Sequence, residues 1–129
     1  MILEYRDGLI FTEIEITHKE KTKIINNIVL DTGATKSLIS QEIVEDIGIR
    51  VSKEDDIVMS YGIGGKEPAF VKKIDKIILD KYTIEDILID FSKIDYEDIN
   101  GLLGLDILME GNFIINLDQM ELRPKWIYV

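Results

Sequence analysis

Cysteine is absent from all 129 residues, so neither a disulfide framework nor a thiolate nucleophile is open to this chain. Histidine occurs once, at His18, which excludes a histidine-rich metal centre and leaves little scope for a Ser-His-Asp triad. No apolar run approaches the ~20 residues of a membrane span. Acidic residues also interrupt Met1 to Asp7, where an export signal needs an unbroken apolar core. Basic residues are in deficit, with 15 Lys and Arg against 25 Asp and Glu, a net charge of −10. That balance opposes a nucleic-acid partner or an anionic membrane surface, both of which need clustered cations. Internal repeats, low-complexity segments and linkers are also missing. The expectation is one soluble, cytoplasmic domain over residues 1–129, with no nucleic-acid or membrane partner.

What is present is a globular balance of 46% hydrophobic and 31% charged residues, rich in isoleucine, which favours strands. Ile10, Thr12, Ile14 and Ile16 alternate with Phe11, Glu13, Glu15 and Thr17, the pattern of a strand with one wet face. His18 to Lys21 reads as a polar turn with a solvated histidine, and Thr22 to Leu30 as the returning strand. Ser37 to Ile39 predicts a short strand. Ser40 then stands as a helix N-cap before an apolar face of Ile43, Val44 and Ile47, closed by Gly48. Strands are expected over Ile57–Tyr61, Glu67–Leu79, Thr83–Phe91 and Phe113–Leu117, with a return at Met120–Leu122. The acidic runs 54–56 and 95–98 lack the ligand spacing of a calcium loop and read as solvated turns.

Three stretches depart from a generic β pattern. At the end of Ile28-Val29-Leu30 comes Asp31-Thr32-Gly33-Ala34, a carboxylate closing a run apolar enough to be buried, followed only by small residues. A buried carboxylate is costly without partners, so an ordinary turn explains it poorly. Gly62-Ile63-Gly64-Gly65-Lys66 is the glycine-rich tip of a hairpin over residues 57–79. A phosphate loop is the competing idea, but the glycine spacing fails at Glu67 and no helix pattern follows. Finally, Gly101-Leu102-Leu103-Gly104 runs into a short helical pattern from Leu105.

In this order the three stretches resemble the retropepsins, the single-lobed retroviral-type aspartic proteases, over roughly residues 10–122. The resemblance implies a mostly β fold, a closed acid-protease-like barrel with a flap hairpin and one or two short helices. It implies an aspartic endopeptidase needing no metal or cofactor, with Asp31 as the catalytic acid and base. Thr32 would fasten two loops together, and Gly33 would offer backbone groups to a peptide or protein substrate. Ala34, Thr35, Gly62, Ile63, Gly64, Gly65 and Leu102 would contact that substrate, with Ile63 and Leu102 favouring apolar residues near the cut. Two-lobed relatives carry a second such triplet; this chain has none, so the resemblance implies a homodimer contributing one Asp31 per subunit. The tail 123–129, ending Trp126-Ile127-Tyr128-Val129, is a candidate for the dimer interface. Thr35 and Leu105 stand where many retroviral enzymes have an interface Asp and Arg, a departure that bears on the interface and not on the catalytic pair. The alternative is a non-catalytic peptide-binding or dimerisation module that keeps the fold.

Overall fold

The computed structural model describes residues 1–62 and 65–125. Ile63, Gly64 and the Trp126–Val129 end of the tail lie outside the described residues. Ten strands carry most of the chain: β1 (Glu4–Arg6), β2 (Leu9–His18), β3 (Lys21–Leu30), β4 (Leu38–Ser40), β5 (Ile57–Gly62), β6 (Gly65–Leu79), β7 (Tyr82–Ser92), β8 (Gly101–Leu103), β9 (Phe113–Asn116) and β10 (Glu121–Pro124). Among the described residues a single α-helix, α1 (Leu105–Glu110), follows β8. Eight strands form one sheet in the order β1-β2-β3-β8-β4-β7-β6-β5. An added β2–β6 pairing, Ile16 opposite Ile77, closes it into a ring. The architecture is therefore the mostly β, closed sheet expected, while β9 and β10 form a separate two-stranded sheet.

Two apolar clusters fill the ring. The larger is built mainly from isoleucines, including Ile16, Ile25, Ile74, Ile77 and Ile89, together with Phe91 and Leu103. β-branched side chains suit a pleated, half-buried surface, which is why so isoleucine-rich a chain can close a barrel. The smaller cluster joins Phe11, Val29, Leu38, Ala69 and Leu102 on the side of the Asp31 loop. Phe11 was expected on the wet face of its strand, yet it is buried. A register shift between Thr12 and Ile14 lets consecutive residues turn inward, and the Arg6 guanidinium covers the Phe11 ring at 4.0 Å.

Two further expectations are corrected. The helix expected after Ser40 is only a 3-10 turn over Glu45–Ile47, because the sheet holds this backbone first. Ser40 pairs with Ser92 in β7, its N–H donates to the Asn100 carbonyl, and Gln41 N–H donates to Ser92. Gly48, in the left-handed region at φ 80°, then ends the turn as expected. The second correction is His18, which is the last residue of β2 and only 7% exposed, not a solvated turn residue. Among the described residues its Nδ1 has no hydrogen-bond partner. Burial pushes its pKa below the usual histidine value, with Lys19 and Lys72 acting in the same direction and Asp75 opposing them.

A depressed histidine pKa means the unfolded chain binds the proton more tightly than the fold. The stabilising effect of neutral His18 is thus present above about pH 6.5 and is lost as pH falls through the lower folded value. Replacing it with His18→Leu should remove this dependence. Urea midpoints of the two proteins should diverge in favour of the variant between pH 7.5 and 5. A constant difference across that range would contradict a buried neutral histidine.

Candidate active site

The Asp31 loop is a crossing point of three strands. β3 delivers Asp31, β4 begins at Leu38, and β8 runs between them, parallel to β3 (Val29 opposite Leu102) and antiparallel to β4 (Ile39 opposite Gly101). Asp31 N–H donates to the Leu103 carbonyl at 3.0 Å, so the β3–β8 ladder continues to the carboxylate residue itself. The loop then folds on itself: Gly33 N–H donates to Asp31 Oδ1 at 3.0 Å, and Ala34 N–H donates to the Asp31 carbonyl at 3.2 Å. On its far side the Ala34 and Thr35 carbonyls accept from Leu105 and Asp106 at the start of α1.

Such proximity demands two glycines. A Cβ at Gly101 would lie 2.5 Å from the Leu38 carbonyl oxygen, and one at Gly104 would lie 2.7 Å from that of Ala34. Both contacts are with backbone, which cannot swing aside.

Sequence reading missed two residues that hold the loop. Asp106 Oδ1 accepts from Ser37 N–H at 2.9 Å, from Ser37 Oγ at 2.7 Å and from Ile107 N–H at 2.9 Å. The same Ser37 Oγ accepts from Gly104 N–H at 2.9 Å, tying the loop's exit to the glycine crossing. Asp106 looks from sequence like an ordinary acid in a helix's first turn. Its signal is position: it stands two residues after the glycine that crosses the loop. A third acid, Asp90 of β7, is buried next to Leu38 in register. Burial raises its pKa, the charge of Asp106 adds to the rise, and Lys36 opposes it. A raised carboxyl pKa costs the fold stability at neutral pH, and that cost is relieved as pH falls through the folded value toward the unfolded one.

Of the residues singled out by sequence, Asp31 is half-buried, while Thr32, Gly33 and Thr35 are exposed. Ala34 is buried, its N–H donating to the Asp31 carbonyl and its carbonyl accepting from Leu105 N–H. Gly62 and Gly65 pair at the end of the β5–β6 hairpin ladder. Leu102, Leu38 and Gly65 line one cavity of about 300 Å³ beside the loop, between the hairpin and the 93–99 segment. Asp95 and Tyr96, read from sequence as part of a solvated turn, are on its wall. Among the described residues, no group of three or more His, Asp or Glu side chains could hold a metal ion. No described helix is long and apolar enough to cross a membrane.

The Asp106 anchor generates a stability prediction. Truncation to Ala leaves the Ser37 donors without their acceptor, and an unsatisfied buried donor costs about 1–3 kcal/mol. Asp106→Ala should therefore lower unfolding stability by roughly 2–4 kcal/mol, while Asp106→Asn, which keeps an acceptor oxygen, should lose much less. Chemical denaturation of the three proteins checks this. Equal losses for Ala and Asn would mean the oxygen is not what holds Ser37.

Comparison with known proteins agrees with this fold. Among solved structures, the fold is similar to a retropepsin-like aspartic protease from Rickettsia conorii, with a TM-score of 0.64 and 19% identity over 91% of this chain and 83% of the other. It is likewise similar to the retroviral protease-like domain of Ddi1 from Leishmania major, with a TM-score of 0.64 and 16% identity over 91% and 88% of the two chains. No curated protein matches the sequence. The model of the aspartyl protease family matches residues 14–107, a span that holds the Asp31 loop, the hairpin and the Gly101–Gly104 crossing. The chain belongs to the aspartyl protease family.

Proposed function

We propose that this chain is an aspartic endopeptidase that works as a homodimer, with one Asp31 from each subunit at a shared site. The observation that carries the reading is the Asp31 loop: Asp31 N–H donates to the Leu103 carbonyl, Gly33 N–H donates to the Asp31 carboxylate, and the small residues Thr32 and Gly33 beside it are exposed. Membership of the aspartyl protease family supports the reaction class. With a single such loop in the chain, the second carboxylate has to come from a second copy.

The chemistry follows from the pair. Two carboxylates ~3 Å apart at an effective dielectric of ~20 repel by about 5.5 kcal/mol, so they hold one proton between them. Such proton sharing is established for aspartic proteases as a class. The ionised Asp31 takes a proton from a water molecule as its oxygen bonds to the peptide carbonyl carbon. The protonated partner gives its proton to the developing oxyanion. Collapse of the resulting diol breaks the C–N bond as a proton passes to the leaving nitrogen. No acyl-enzyme forms, and the reaction calls for no metal or organic cofactor.

Around this centre, Thr32 of each subunit fastens the two loops and Gly33 presents backbone to the substrate. The β5–β6 hairpin serves as the flap, its glycines at 62, 64 and 65 giving the tip little steric restraint. The tail 123–129 is the proposed contribution to the dimer sheet. A cytoplasmic setting belongs to the same proposal.

Asp31→Asn tests the assignment. The variant should lose peptide hydrolysis, by at least a thousandfold, while keeping the wild-type far-UV spectrum and a cooperative unfolding transition. Digestion of a peptide library by both proteins, followed by mass spectrometry, gives the answer. Substantial cleavage by the variant would remove Asp31 from the reaction. A wild-type protein that binds library peptides and cuts none would instead mark a binding module with the same fold.

A further inference from the structure

The cavity of about 300 Å³ beside the Asp31 loop has an uneven wall. Leu38 and Leu102 are buried, Ile94 and Ile99 are half-buried, and together they make an apolar interior. Its exposed wall carries three charged groups, Glu67 of β6 and Lys93 and Asp95 of the following segment. Lys93 Nζ lies 4.0 Å from Asp95 Oδ1, so these two charges largely cancel. Glu67 is left over. Among the described residues it makes no ion pair, and the neighbouring Lys66 is directed at the Tyr61 ring, 5.7 Å from its centroid.

We propose that this cavity is a subsite for a long basic side chain of the substrate, Lys or Arg, and that Glu67 is the residue setting that preference. An aliphatic stem of three or four methylenes lies along Leu38, Leu102, Ile94 and Ile99, while the cationic head reaches the Glu67 carboxylate at the wall. The cavity has room for one such side chain. A chain of net charge −10 also draws cationic peptides toward the site over longer range. The general preference for apolar residues expected from Leu102 thus becomes, at this one position, a preference for an apolar stem with a basic end. The inference rests on the peptidase reading, and its substrate class can be tested apart from that reading.

The probes are two peptide mixtures randomised at eight positions, identical except that one contains Lys where the other contains uncharged norleucine. Cleavage by wild type and by Glu67→Gln is read by mass spectrometry, and binding to the Asp31→Asn protein and to its Glu67→Gln double variant is read by fluorescence anisotropy. Wild type should favour Lys over norleucine about tenfold at one position relative to the cut, and the ratio should fall close to one in Glu67→Gln. No basic preference at any position, or one that survives in Glu67→Gln, overturns the proposal. Should wild type cut neither mixture, the binding arm decides. Tighter, Glu67-dependent binding of the Lys mixture keeps the subsite and rejects the peptidase reading; equal binding of both mixtures rejects both.

Discussion

Everything near Asp31 depends on one close backbone crossing. The loop between β3 and β4 has no ladder of its own, and it is held because β8 passes between those strands with glycine at both tight points. From that crossing come the Leu103 carbonyl that fixes Asp31 N–H and the Gly104 N–H that fixes Ser37 Oγ. The start of α1 then adds Leu105, Asp106 and Ile107 to the same network. A carboxylate at a strand end next to an apolar core needs polar partners, and here Gly33 N–H donates to Asp31 Oδ1 while Asp31 N–H donates to Leu103 and its carbonyl accepts from Ala34. The loop is thereby pre-set, with its exposed side, Thr32 and Gly33, left for whatever approaches from outside.

Local patterns gave the strand positions along the chain, because alternation and turn chemistry act over a few residues. Most strands therefore fall within two residues of where the sequence places them, and Gly101 and Gly104 stand out because nothing larger fits. Features set by distant partners were not legible. Ser40 carries every local mark of a helix cap, yet pairing with Ser92 and Asn100 commits it to the sheet. His18 looks like a turn residue, and the closing of the barrel buries it. Phe11 turns inward at a bulge that depends on the partner strand's register. The site divides along the same line. The Asp-Thr-Gly triplet is contiguous and readable, whereas the Ser37–Asp106 bond spans 69 residues and the cavity wall gathers β4, β6, β8 and the 93–99 segment.

One carboxylate per chain makes assembly part of the proposed chemistry. Two copies that each carry −10 must approach closely enough for their Asp31 side chains to share a proton. That long-range repulsion works against the local attraction of the interface, and salt alters the first far more than the second. The Debye length falls from ~30 Å at 0.01 M to ~10 Å at 0.1 M, which screens charges spread over the two surfaces but not groups in contact.

The central claim is that the active species contains two copies of this chain. Sedimentation and peptidase activity measured on one dilution series, at 0.01 M and at 0.1 M salt, test it directly. The account predicts that activity per mole of chain rises with concentration in step with the dimer fraction, and that added salt moves both curves together to lower concentration. Full activity in a species that sediments as a monomer, flat across the series, would contradict it and require the second acid to come from within the same chain.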